Sequence, residues 1–218
     1  MKTFIFGVFS FSLFLTSCAD PAANKTKANV SNASNTTANT TSNTTAAPGK
    51  TETLAVTPEN SKVEFTASKV TASHPGGFKK FDGTIDLVNE KPEGSKVKID
   101  IDLSSVFTNE EKLNEHLKTP DFFDVAKFPK ANFTSTSIVP DAAKGADNYT
   151  VTGDFDLHGQ KKSINFPAVI KVDAGTVTVT SEFSINRKDF GLVYPGFAND
   201  LINDLVVIKL DLKTPRKK

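Results

Sequence analysis

Tryptophan is absent from the 218 residues, cysteine and methionine occur once each, tyrosine twice and histidine three times. A single cysteine rules out a disulfide within the chain and any multi-cysteine metal site. Without tryptophan and with little tyrosine there is small provision for the amphipathic ring platforms that stack sugars. Neither sign of charge dominates. Lys and Arg number 26, Asp and Glu 25, for a net charge of +1. Loss of residues 1–17, with their one Lys, would leave zero, so there is no basic surplus suited to nucleic acid. G-x-S-x-G, H-E-x-x-H, Walker and G-x-G-x-x-G sequences are all missing, so the chain carries no familiar hydrolase, metalloprotease or nucleotide-binding signature. No enzymatic activity, metal or cofactor is expected.

The one cysteine is placed informatively. Lys2 precedes an apolar run of 12 residues, Phe4 to Leu15, and small residues lead to Cys18. This is the layout of a secretory signal peptide, and it is too short to span a bilayer, which takes about 20 residues as a helix. Leu15-Thr16-Ser17-Cys18 resembles the bacterial lipobox. The resemblance implies cleavage after residue 17, a diacylglycerol thioether on Cys18 and a fatty acid such as palmitate on the new N-terminus. Several acyl chains on one residue anchor stably to a membrane. Ala19 is not the aspartate that retains many such proteins at the inner membrane, which favours an outer-membrane location in the cell envelope.

Residues 18–52 are rich in Asn, Thr, Ala and Ser and contain no aromatic residue. Such a stretch buries too little apolar surface to offset chain entropy, and the expectation is a disordered tether with a reach of about 30 Å. Its Asn-x-Ser/Thr triplets, from Asn29 to Asn43, follow from composition alone. Residues 53–214 are expected to form one domain, with 215–218 a solvated basic tail.

Period-two alternation runs through this domain. Val97, Ile99, Ile101 and Leu103 share one face, with Lys96, Lys98, Asp100 and Asp102 opposite, as in a strand with one wet side. Similar patterns predict strands over 61–67, 81–87, 131–138, 150–157, 163–172, 176–185 and 205–212. Turns are expected at Pro92-Glu93-Gly94, 141–147, His158-Gly159-Gln160 and Asp173-Ala174-Gly175. One short helix interrupts the pattern. Thr108 and Glu111 are spaced as a capping box, Leu113 and Leu117 stack at i, i+4, and Pro120 stops the helix.

Eight strands at short spacing suggest an all-β fold, a barrel or a sandwich, and a closed eight-stranded barrel can hold one small ligand. Phe65, Ile99, Ile101, Phe133, Phe155, Phe166, Phe183 and Ile185 are the candidates for the inward face, with Ala67 as a small residue that would leave room. Phenylalanine is plentiful, 18 in all and 5 of them before Cys18. An interior of Phe, Ile, Val and Leu matches an aliphatic chain, although the same residues equally suit a solid core. His74, His116 and His158 are far apart in sequence. His116 is expected to pack or hydrogen-bond beside Leu113 and Phe122-Phe123. Asp121 and Asp124 read as turn residues around two buried rings. Arg187 and Asp189 suggest an ion pair at a strand end, with contact to a ligand head group as the other role for Arg187.

Three segments in order carry a family resemblance. Asn109-Glu110-Glu111 with Glu115-His116-Leu117, Pro120-Asp121-Phe122-Phe123-Asp124-Val125 and Phe128-Pro129 form the first. Thr152-Gly153-Asp154-Phe155-Asp156-Leu157-His158-Gly159 is the second, and Ile185-Asn186-Arg187-Lys188-Asp189-Phe190-Gly191 the third. Together they resemble the YceI-like family across 53–214. The resemblance implies an extended, lipocalin-like eight-stranded antiparallel barrel. It also implies a polyisoprenoid or similar long amphiphile, isoprenoid or fatty-acyl, in an apolar tunnel, and a periplasmic protein that is often a homodimer. The chain departs from the common pattern at Ser73-His74-Pro75-Gly76-Gly77, read as a glycine-rich loop at the tunnel mouth. The alternative is a structural or interaction lipoprotein with a solid barrel, and the interior volume separates the two.

Overall fold

The computed structural model of the chain describes residues 20–33 and 50–216. Cys18, the signal peptide, residues 34–49 of the expected tether and Lys217-Lys218 lie outside them. The strands are β1 (Asn29–Asn32), β2 (Thr51–Val56), β3 (Lys62–Ser68), β4 (Ser73–Phe78), β5 (Phe81–Val88), β6 (Lys91–Asp102), β7 (Val106–Thr108), β8 (Lys130–Pro140), β9 (Asn148–Leu157), β10 (Gln160–Val172), β11 (Thr176–Asn186), β12 (Gly196–Phe197), β13 (Asp200–Leu201) and β14 (Leu205–Pro215). Helix α1 is Glu111–Leu117.

Twelve strands form one antiparallel sheet, in the order β2-β5-β6-β8-β9-β10-β11-β14-β3-β4-β7, with β1 added to β10; β12 and β13 make a separate hairpin. The eight strands expected from alternation are the unbroken run from β5 to β3. The additions extend its edges. The sheet curls into a barrel, and two features draw it round. Strand β6 runs through a 3₁₀ turn at Leu103–Ser105 into β7, which pairs with β4 at the opposite end of the strand order. Arg216, just past β14, bonds Glu52 of β2 at 2.9 Å and Glu90 at 2.6 Å.

The inward faces are those the alternation marks. Val97, Ile99 and Ile101 on β6 and Val177, Val179, Phe183 and Ile185 on β11 are all buried in one apolar core. A bulge in β8 between Ser135 and Ser137 bends that strand, and the buried Ser135 hydroxyl accepts from the Val97 amide at 2.8 Å, satisfying the donor there.

Several expectations are corrected. The turn before β6 is not Pro92-Glu93-Gly94 but Asn89-Glu90, both with positive φ (52° and 58°), joining Val88 to Lys91. Glu seldom takes that conformation, so the sequence hides the turn. Pro92 to Gly94 lie inside β6, where the Ser95 hydroxyl bonds the Val88 amide and the Lys91 carbonyl across the irregular register. Ser73 to Gly77 is not a loop but most of β4. A Cβ on Gly76 would strike the Phe107 carbonyl and the Phe65 ring, so glycine is what lets this strand pass between its neighbours. The capping box does not form. Thr108 ends β7, its hydroxyl accepting from the Glu110 amide, and the helix starts at Glu111 without a side-chain cap.

The ends of the domain also differ from expectation. Within the presumed tether, Ala22 and Ala28 are buried and β1 pairs with β10 over Asn29–Asn32. Strands β10 and β11 pair only over 169–172 and 177–180, then part. The segment 26–32 fills the gap. The Ser184 amide donates to the Thr26 carbonyl, the Ala28 amide to the Ser184 carbonyl, and β1 then joins β10. Low hydrophobicity did not prevent ordering, because two open strand edges supply the partners for this backbone. The folded domain likewise begins before residue 53, at Thr51. The tail is tied down as far as Arg216, whose side chain also donates to the Asp173 carbonyl.

Candidate functional site

The barrel is not solid. A cavity of about 160 Å³ lies on its axis, and its wall is almost entirely hydrocarbon. All nine residues expected to face inward border it: Phe65 and Ala67 from β3, Ile99 and Ile101 from β6, Phe133 from β8, Phe155 from β9, Phe166 from β10, and Phe183 and Ile185 from β11. Phe166 and Phe183 stack with centroids 4.2 Å apart, where β10 and β11 have separated, and Phe155 meets Phe190 edge-on at 5.2 Å. Gly153 makes room for one of these rings. A Cβ there would lie 2.5 Å from Phe133 and 2.6 Å from the Thr134 carbonyl.

The sequence reading missed the far wall. Leu117 from α1, Phe122 and Phe123 from the following turn, and Leu192 and Ile202 from the loop before β14 close that end. The turn is built around Asp124, whose φ is 47° and whose carbonyl accepts from Lys127 and Phe128, while Phe122 and Phe123 are buried, as expected for turn residues around two rings. The 190–204 loop has no periodicity to read. Its signals are turn residues, Pro195-Gly196 and the Ala198-Asn199 pair between two short strands.

Beyond this wall is a second, more open cleft of about 260 Å³, bordered by α1, the start of β4 and the β12–β13 hairpin. Phe65, Ala67, Leu117, Phe122 and Ile202 border both spaces and stand between them. The cleft is polar at its rim. Lys69 pairs with Asp200 at 2.6 Å, and hydrogen bonds from Lys69 and Thr71 hold the Asp200 carboxyl below its ordinary range. His74 Nδ1 lies 3.2 Å from Asn109, and His116 Nε2 lies 2.7 Å from Asp121 with its ring edge-on to Phe122 and Tyr194. His116 thus takes the packing and hydrogen-bonding place foreseen for it. His158 lies elsewhere, against Phe128. Among the described residues no group of three or more His, Cys, Asp or Glu is arranged to hold a metal.

Arg187 borders the inner cavity at 4 % exposure. Its acidic neighbour is Asp204, at 3.7 Å, rather than Asp189. Its guanidinium donates to the carbonyls of Leu192, Ile202 and Asn203, so three of its five N–H groups hold the 190–204 loop closed over the cavity. Burial pulls its pKa down, and Asp204 opposes this. Two of its N–H groups make no hydrogen bond to a carbonyl.

A curled antiparallel barrel with a hydrocarbon-walled central cavity and a polar-rimmed cleft belongs to the lipocalin-like class of architectures. Residues 54–214 match the YceI-like domain, and the chain belongs to that family. The UPF0312 protein of Pseudomonas putida strain W619 is 34% identical over 137 residues, covering 59% of this chain and 68% of the relative. That of Pseudomonas syringae pv. tomato is 36% identical over 127 residues, covering 56% and 65%. BcnA of Burkholderia cenocepacia has the same fold, with a TM-score of 0.65 at 24% identity over 72% of this chain and 98% of its own. So has a polyisoprenoid-binding domain from Saccharophagus degradans, with a TM-score of 0.60 at 21% identity over 77% of this chain and 100% of its own. Strand β1 lies outside the matched residues.

Proposed function

We propose that the protein is a lipid-anchored envelope protein that binds a polyisoprenoid or similar long-chain amphiphile, and that it acts by holding this ligand rather than by transforming it. The observation that carries the reading is the hydrocarbon-walled cavity that shares five lining side chains with a cleft with charged edges. Such a shape suits a molecule with an apolar tail and a polar end. The polyisoprenoid-binding domain of Saccharophagus degradans, which shares the fold, supports the same ligand class. Each CH₂ buried would contribute about 0.8 kcal/mol, so a few isoprene units hold without polar contacts. An engineered apolar cavity of about 150 Å³ accepts benzene. The inner cavity is of that size, so it takes the tail end, and a longer chain passes between the five shared side chains into the cleft. The lipobox-like sequence ending at Cys18 supports the membrane anchor.

Mass spectrometry of organic extracts from protein purified without detergent exchange tests this. The expected result is a stoichiometric amphiphile of isoprenoid or fatty-acyl type. Protein that yields none, and that binds none of either class when offered it in solution, overturns the reading.

A further inference from the structure

Five large hydrophobic residues are well exposed among those described, and four gather at one place. Val70, Val193, Phe197 and Leu201 are 61, 63, 73 and 49 % exposed. The Val70 amide donates to the Leu201 carbonyl at 3.1 Å, Phe197 pairs with Asp200 across the β12–β13 hairpin, and Val193 precedes Tyr194, which lines the cleft. Phe197 itself lines the cleft. The apolar group is therefore the outer lip of the opening. The fifth, Val139, lies near the end of β8, past its cavity-lining Ala131 and Phe133.

The path of the chain adds an independent observation. Asp20 Oδ1 accepts from the hydroxyl of Ser68 at 3.3 Å, and Ser68 lines the same cleft beside Lys69 and Val70. Asp20 is the first described residue, and Cys18 precedes it by two positions in the sequence.

We infer that the lip is a bilayer-docking surface. The protein rests on the membrane mouth-down, with Phe197, Leu201, Val70 and Val193 in the lipid interface around the anchored N-terminus. An amphiphile can then pass between bilayer and cleft without crossing water. The inference rests on the anchored-carrier reading above. It adds the orientation and the residues that set it.

The absence of tryptophan makes the test clean. Phe197→Trp and Val139→Trp each place a lone reporter in the full, processed chain, one on the lip and one away from it. The proteins are reconstituted with vesicles of phosphatidylethanolamine and phosphatidylglycerol, with and without dibrominated phosphatidylcholine. The expected result is a blue-shifted emission at position 197 that loses most of its intensity to the brominated lipid, with position 139 unaffected. Equal quenching at both sites, or none at 197, overturns the docked orientation. A blue shift at 197 without quenching points to a protein partner and overturns it too. Vesicle-bound protein with residue 197 unquenched keeps the anchor while removing the docking. Quenching at 197 in protein whose extracts hold no amphiphile keeps the docking while removing the carrier.

Discussion

The Ser184 amide donates to the Thr26 carbonyl at 2.9 Å, so the free half of β11 finds its outer partner in the N-terminal segment. Strands β10 and β11 diverge beside the stacked rings of Phe166 and Phe183, and without residues 26–32 the barrel would be slotted there. The closing strand lies outside the residues that match the family.

That arrangement makes the segment a stabilising element. Ala28 is 2 % exposed, and Ala28→Asp should cost about 3 kcal/mol or more by forcing a charge into the slot. Asn29→Ala, on an exposed position, should be nearly neutral. Urea unfolding checks both. A lowered midpoint with unchanged slope is expected for the first, and no shift in that midpoint would mean that the segment contributes nothing.

Ala67 borders both spaces, so Ala67→Phe should fill the room between them while the fold survives, and extracts of the variant should contain no amphiphile. Phe155→Ala is the opposite probe. A ring in a solid core costs about 3–5 kcal/mol when removed. Beside an existing cavity fewer contacts are lost, and the expected cost is below that range. Denaturant titration and extraction of the same samples decide both.

Gly153→Ala should destabilise by about 1–3 kcal/mol, because the new methyl meets the Phe133 ring on one side and the Thr134 backbone on the other. Since the ring can retreat only into the cavity, extracted ligand should fall as well. Unchanged stability and ligand content would show that the wall is softer than it looks.

Arg216 gives a pH-dependent prediction. Its hydrogen bond and charge hold the Glu90 carboxyl below the ordinary value of 4.5. A carboxylate whose folded pKa is lowered stabilises the fold above the unfolded pKa, and that contribution is lost as pH falls through the folded pKa. The stability gap between wild type and Arg216→Ala should thus be full at neutral pH and shrink below about 4.5. NMR titration should show the Glu90 pKa rising toward its ordinary value in the variant. A gap that stays constant down to acid pH would assign it to lost packing instead.

Cys18→Ser should release the protein from the membrane fraction or block its processing, since only a thiol accepts the diacylglycerol. Fractionation and intact mass check this. Unchanged membrane association together with unchanged mass would remove the lipid anchor.

Sequence alone determined the barrel wall. Side chains on a strand alternate with a period of two, so Ile99 and Ile101, or Phe183 and Ile185, mark an inward face wherever their strands pair. All nine inward candidates border the cavity for that reason. The three ordered segments determined the family. Tertiary structure decided what local pattern does not encode. Asn29–Asn32 has no apolar stripe and is a strand because two edges were left open. Ser73–Phe78 holds a proline and two glycines and is a strand because only a side-chain-free backbone fits beside Phe65 and Phe107. Arg187 takes Asp204 and three carbonyls over its near neighbour Asp189 because the 190–204 loop folds back onto it. The cleft and the exposed lip come from α1, β4 and that loop meeting across the barrel mouth, and such long-range meetings are set by chain closure and not by the local run of residues.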